Sequence, residues 1–223
     1  MLSKMRQESI LYKNRFYNEN LRNNIWKVLT KNYFQKFIKK SDNVLDLPCG
    51  YGEFINNISC NKKYALDINK DAKKFLHKNI TFLHASATKI PLQKNSVDKI
   101  FISNFFEHIT KQESILVVKE CKRILKKNGQ VIILQPNIRF CAKDYWRFFD
   151  HITPIDDRAL EELFSLFGFK KIFSVLKFLP YTTQDSYNKN QFFILLSVRL
   201  YLLFPLLWSF FGKQSLLIFQ KND

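Results

Sequence analysis

An acid, two closely spaced glycines and a second acid form the most chemically suggestive group in this chain. Asp46-Leu47-Pro48-Cys49-Gly50-Tyr51-Gly52 closes one short apolar run, and Asp67 closes the next. Glycines at such a junction let the backbone approach a ligand closely. A carboxylate at the end of the neighbouring run can accept two hydrogen bonds from a ribose diol. The pattern predicts a nucleoside-type ligand held over Asp46, Gly50, Gly52 and Asp67. Pro48 fills the place of a first glycine and removes one N–H. The alternative for Asp67 is an ordinary strand-end turn.

A second group lies between residues 136 and 154, where Asn137, Arg139, Tyr145, Trp146, Arg147, Asp150 and His151 crowd together. Aromatic faces beside hydrogen-bonding groups suit a sugar ring or another small polar molecule. Asp150 next to His151 can supply a base with a charged neighbour. His108 follows another apolar run and is a second candidate base. Each histidine also has a structural reading: capping or burial for His151, a helix start for His108. Cys49, Cys60, Cys121 and Cys141 form no CxxC and stand at no zinc-ligand spacing with the four histidines. Neither a disulfide framework nor a metal site is expected, and reduced thiols suit a cytoplasmic protein.

These residues need a scaffold that gathers strand ends. Apolar runs predict strands at 43–47, 62–67, 80–84, 97–103 and 129–135, with later ones at 169–177 and 214–220. Helical periodicity separates them, most clearly over 111–126. Gly129, after Lys126-Lys127-Asn128, reads as a helix stop before a strand. Strands alternating with helices form a parallel sheet covered on both faces, whose ligand sits at the carboxyl ends of the strands. Residues 1–40 stand ahead of this pattern as a basic helical extension. Leu21, Ile25, Val28, Leu29, Tyr33, Phe34, Phe37 and Ile38 recur at helical spacing between Arg22, Lys27, Lys31 and Lys36. That face either solvates a helix packed on the core or turns toward phosphate or acidic lipid.

The 223 residues, 46% of them hydrophobic, suit one globular domain with appendages and exclude a disordered chain. The net charge of +17 points to a polyanionic partner, either nucleic acid or an anionic membrane face. A general drift toward Lys, Asn, Ile and Phe accounts for part of it. No apolar core follows the basic N-terminus, so no secretory signal is expected.

Val44-Leu45-Asp46-Leu47-Pro48-Cys49-Gly50-Tyr51-Gly52 resembles the first motif of the class I S-adenosylmethionine-dependent methyltransferases. The resemblance implies an α/β fold with a Rossmann-like, seven-stranded, mostly parallel sheet and helices on both faces, here over residues 41–223. It implies S-adenosyl-L-methionine as cofactor. The glycine loop, Gly50 and Gly52, would lie against the donor's methionine part, and Asp67 would bind the ribose hydroxyls. His84-Ala85-Ser86-Ala87 is similar to the stretch bordering adenine, which the Ala87 N–H would serve. Ser86 stands there in place of the usual acid. Val97-Asp98 through Ser103-Asn104-Phe105-Phe106-Glu107-His108 is similar to the fourth strand and its loop, which brings Asn104 to the donor. Gln135-Pro136-Asn137-Ile138-Arg139-Phe140, Tyr145-Trp146 and Phe148-Phe149-Asp150-His151-Ile152-Thr153-Pro154 resemble bacterial methyltransferases of glycan and cell-surface polymer synthesis.

That resemblance predicts methyl transfer to a small-molecule or glycan-type acceptor, a hydroxyl in the first instance and lipid-linked in one version. His108 and His151 are the catalytic candidates; Asn137, Arg139, Tyr145, Trp146 and Asp150 are the acceptor-side ones. Two alternatives stay open. One is an RNA methyltransferase, favoured by charge, although Ser103-Asn104-Phe105-Phe106 lacks the paired prolines of amino-methylating enzymes and neither Cys49 nor Cys121 suits a cytosine-C5 nucleophile. The other is a non-catalytic donor-binding or assembly subunit, favoured by Pro48 and Ser86.

Residues 192–211 read FFILLSVRLYLLFPLLWSFF, long enough to cross a bilayer. Arg199 and Pro205 oppose a span, and the strand expected at 214–220 must rejoin the sheet. The stretch belongs to an insertion, 186–212, for which three readings stand: contact in the plane of an anionic membrane, a buried helical lid, or a true span. The first makes the protein peripheral on the inner face of the membrane.

Overall fold

The computed structural model describes residues 19–181 and 190–222. Seven strands form one sheet: β1 (Asn43–Asp46), β2 (Lys62–Asp67), β3 (Ile80–His84), β4 (Val97–Ser103), β5 (Leu125–Pro136), β6 (Phe169–Leu179) and β7 (Gln214–Lys221). Their order is β3-β2-β1-β4-β5-β7-β6. Strands β1 to β5 pair in parallel, and β7 runs antiparallel between β5 and β6. This is the mostly parallel Rossmann-like sheet expected. The order reverses between β1 and β4, which opens a crevice at their carboxyl ends.

Among the described residues, seven helices cover the sheet: α1 (Glu19–Asn32), α2 (Glu53–Asn57), α3 (Lys111–Ile124), α4 (Ile138–Tyr145), α5 (Asp157–Leu166), α6 (Gln191–Leu203) and α7 (Leu206–Phe211). The side-chain alternation of strands divides the core in two. Val44, Phe101, Ile132, Leu134, Leu216 and Ile218 face α1, α2, α6 and α7. Leu45, Ile100, Ile102, Val131, Ile133, Leu217 and Phe219 face α3 and α5. Each fully buried Leu, Ile, Val or Phe stabilises the fold by ~1.5–3 kcal/mol, so a one-residue slip of any central strand would be prohibitive.

Three local expectations change. Helix α3 stops at Ile124, two residues early, and β5 begins at Leu125. Gly129 therefore ends no helix. Between the pairings Val97↔Leu125 and Lys99↔Gln130, β5 carries a bulge, with Asn128 at φ +59°. A Cβ on Gly129 would meet the Lys126 carbonyl oxygen at 2.9 Å, so packing of the bulge demands glycine there. The connection from β2 to β3 holds only a 3-10 turn, Lys70–Phe75, and that from β3 to β4 holds no helix.

Helix α1 packs on the core through Leu21, Ile25, Val28 and Leu29, while Lys27 and Lys31 stay in solvent. Residues 1–18 of the expected extension and 186–189 of the expected insertion lie outside the described residues. The insertion forms α6 and α7, parted at Pro205. No described helix is long and apolar enough to cross a membrane. Ile194, Leu202 and Trp208 anchor the pair inward. The Trp208 Nε1 donates to the Tyr201 carbonyl at 2.8 Å, the Tyr201 hydroxyl to the Phe178 carbonyl at 2.7 Å, and Tyr33 packs on both Phe178 and Trp208.

Candidate active site

The glycine loop turns over the end of β1 under a set of backbone bonds. The Leu47 N–H donates to the Phe101 carbonyl and the Cys49 N–H to the Leu66 carbonyl, each at 2.9 Å, so the loop is fixed to both flanking strands. Gly50 and Gly52 take φ of +51° and +73°, the region that L side chains rarely enter. Gly52 caps α2, and a Cβ on it would run into the Leu76 side chain. Tyr51 stacks on Phe75, centroids 4.1 Å apart, and closes the side of the loop.

Asp67 ties this loop to β2. One of its oxygens accepts the Gly50 N–H at 3.0 Å and the other the Asn69 N–H at 2.8 Å. An ionised carboxylate is acceptor-only, which is the chemistry a ribose diol calls for. Asp46 lies buried beneath the loop. Burial, then the nearby Glu53, hold its carboxyl well above the usual carboxylate range; the Ile55 N–H opposes this and Asp67 adds to it. Arg22 of α1 pairs with Glu53 at 2.7 Å. Three carboxylates thus surround the glycine loop of a chain whose net charge is +17. A ligand with cationic groups and a ribose fits that surround.

The other donor-side candidates sit at neighbouring strand ends. The Ala85 N–H bonds the Asp67 carbonyl at 3.3 Å, which brings the turn carrying buried Ala87 beside Asp67. The Ser86 hydroxyl is engaged with Thr88 Oγ1 at 2.8 Å. Asn104, at φ +50°, follows β4, and its N–H donates to the Leu134 carbonyl at 2.9 Å.

On the acceptor side, two distant segments converge. Glu107 and His108 lie in a 3-10 turn after β4, held below by the capping box of Thr110 and Glu113 that starts α3. The Glu107 carbonyl accepts the N–H groups of Ile152 at 2.8 Å and Thr153 at 3.1 Å. The Thr153 hydroxyl donates to the Ile109 carbonyl at 2.6 Å, and the Tyr145 hydroxyl to the Thr153 carbonyl at 2.6 Å. His108 and His151 thereby meet edge to face, ring centroids 4.9 Å apart. His108 Nδ1 lies 3.1 Å from the Asp150 carbonyl oxygen and 3.4 Å from Asp150 Oδ2; its Nε2 lies 3.7 Å from Glu107 Oε1. Gln135, from the end of β5, donates to Glu107 Oε2 at 2.7 Å. Burial raises the Glu107 carboxyl above the usual range, with His108 and Gln135 acting against it.

The remaining candidates divide. Asn137 is buried and fully engaged: its Oδ1 accepts the Arg139 N–H as the cap of α4, and its Nδ2 donates to Asp157 at 2.6 Å and Ser215 at 2.9 Å. Arg139 pairs with the same Asp157 carboxylate at 2.9 Å. Tyr145 is buried against His151, centroids 4.8 Å apart, and Trp146 is exposed beside it. Glu107, Gln135 and Thr153 complete the group, and none was singled out by spacing. Glu107 adjoins His108 in sequence, which was the one available signal. Gln135 looked like an apolar strand's last polar residue.

Residues 45–133 match a family described as a methyltransferase domain. A structure described as a SAM-dependent methyltransferase from Archaeoglobus fulgidus superposes with a TM-score of 0.68 at 18% identity, covering 96% of this chain and 99% of that one. The fold is therefore that of the class I S-adenosylmethionine-dependent methyltransferases, and within it residues 45–133 match a methyltransferase-domain family. Among curated relatives, a demethylmenaquinone methyltransferase of Lactococcus lactis is 25% identical, over 56% of this chain and 65% of its own length. A ubiquinone/menaquinone biosynthesis C-methyltransferase of Campylobacter jejuni is 23% identical, over 83% of this chain and 81% of its own. The chain covers less than two thirds of the length of the first curated relatives that it matches.

Proposed function

We propose that the chain moves a methyl group from S-adenosylmethionine to a hydroxyl on a polar ring carried by a membrane lipid, a lipid-linked glycan in the first instance. The observation that carries this reading is the Glu107-His108-His151 group, with buried Glu107 and His151 and partly exposed His108, tied to Asp150 and Gln135 at the carboxyl ends of β4 and β5. The donor brings a methyl group already activated on a sulfonium, so the protein's tasks are to position the acceptor, exclude water and take one proton. With Nδ1–H held at Asp150, His108 turns Nε2 inward to accept the hydroxyl proton. The acceptor oxygen then takes the methyl, the methyl–sulfur bond breaks, and the donor leaves as a neutral thioether. Glu107 and Asp150 stabilise the imidazolium until solvent takes the proton. The exposed face of Trp146 suits the ring itself.

The outer face of α6 and α7 supports the lipid half of this reading. Phe192, Phe193, Leu203, Leu206, Phe210 and Phe211 all project into solvent, alongside exposed Arg199. Large apolar side chains gathered in solvent on one helix pair, with a cationic Arg199 among them, suit an anionic lipid surface. A second reading, methylation of a prenylated quinol on a ring carbon, is favoured by the relatives named for quinone biosynthesis. The same base would remove the phenolic proton.

Methyl-labelled S-adenosylmethionine, the purified chain and a bacterial lipid extract test both. Label in the organic phase that mild acid releases as a water-soluble sugar supports the glycan reading. Label retained in an ultraviolet-absorbing lipid supports the quinol reading. Label only in added RNA, or in no fraction, contradicts both.

A further inference from the structure

Glu107, His108 and His151 bring one carboxylate oxygen and two imidazole nitrogens within 4.8 Å of one another, with Glu107 and His151 buried. We propose that this triad binds a divalent transition-metal ion, of the zinc or manganese class, at the acceptor centre. Two imidazoles and one carboxylate are a complete protein ligand set for such an ion, with positions left for a substrate oxygen.

The surroundings are those of a ligand set. A metal-bound histidine holds its outer N–H against a carbonyl or carboxylate, which fixes the tautomer. His108 does this with both acceptors of Asp150, at 3.1 and 3.4 Å, and so turns Nε2 toward Glu107 Oε1 at 3.7 Å. A ligating carboxylate is likewise steadied by a neutral donor on its second oxygen. Gln135 provides it for Glu107 at 2.7 Å. The two segments cannot drift apart, because Ile152 and Thr153 both donate to the Glu107 carbonyl. Ligands about 2.1 Å from a tetrahedral ion stand roughly 3.4 Å apart, so a contraction of at most about 1.4 Å closes the set. A cation there would also compensate the burial of the Glu107 carboxylate.

This inference rests on the reading of the cluster as the acceptor centre and changes its chemistry. Held as ligands, the imidazoles would not take the proton. The ion would instead lower the pKa of a bound acceptor hydroxyl, whose proton passes to water.

The test uses the untagged full chain, stripped with chelator and titrated calorimetrically with Zn2+ and Mn2+, with elemental analysis of the unstripped protein. One ion per chain is expected, with affinity falling at least tenfold in Glu107→Gln and His151→Ala. S-adenosylmethionine titration of the same variants reports that they remain folded at the donor site. No heat with either ion in the wild type, or undiminished affinity in Glu107→Gln, would overturn the proposal. Full-rate lipid labelling by the stripped wild type also overturns it and leaves the acid–base reading standing. A stoichiometric ion with no lipid labelling supports the metal site and removes the acceptor reading.

Discussion

Asp46 and Asp67 end adjacent strands and differ in what they face. Both are buried, but Asp67 accepts two backbone N–H groups, whereas Asp46 lies under the loop among other carboxylates. The Asp46 carboxyl therefore ionises less readily in the folded chain than in the unfolded one. Its contribution to stability is full below the ordinary carboxylate range. It is lost as pH rises, because the unfolded state gives up its proton first. Asp46→Asn keeps an oxygen for the Ile55 N–H and removes that loss. Denaturant unfolding of the ligand-free variant is expected to match wild type in the acid range and to gain on it as pH rises to neutrality. Parallel stability-pH curves would contradict the burial argument. Asp46, Gly50, Gly52 and Asp67 were legible in the sequence because strand ends fix both their type and their spacing. Glu107, Gln135 and Thr153 were not, because their meaning depends on contacts between segments 28 and 44 residues apart. Asn137 shows the opposite case: a polar residue in a suggestive loop that the fold employs as a helix cap.

At the scale of elements, β1 to β4 and the last strand followed from alternation and apolar runs. The bulge in β5 did not. Asn128-Gly129 is as consistent with a helix stop as with a bulge, and only the pairing to β4 decides. The short connections around β3 were equally hidden, since a 3-10 turn has no long period to detect. The turn at Gly52 carries a sharper consequence. Alanine there must adopt a left-handed φ, at ~1–2 kcal/mol, and must displace Leu76. Gly52→Ala is expected to lower stability by at least that amount, and Leu76→Ala in the same chain to recover only the part due to the clash. Full recovery in the double variant would mean that the left-handed backbone costs nothing. Helices α6 and α7 make a separate prediction. Phe192→Ser with Phe210→Ser removes two exposed aromatic groups and touches no core residue. Losing ~3–6 kcal/mol of apolar burial, the double variant is expected to drop out of the floating fraction with mixed neutral and anionic phospholipid vesicles. Wild type that ignores those vesicles would remove the membrane from the account.

Over the whole molecule, charge and function part company. The chain carries a net charge of +17, yet three carboxyl groups, one of them paired with Arg22, gather around the glycine loop. A positively charged donor would therefore bind against the sign of the chain as a whole and with the sign of its own site. That local arrangement, with the fold and the methyltransferase domain, is the centre of the account. Calorimetric titration with S-adenosylmethionine, of wild type beside Asp67→Ala, tests it most directly. Wild type is expected to bind one donor per chain in the micromolar range. Loss of charge-assisted hydrogen bonds, worth ~1.5–3 kcal/mol each, should weaken the variant by ~10-fold or more. No binding by a folded wild type, or equal binding by both, would contradict the assignment of the donor site.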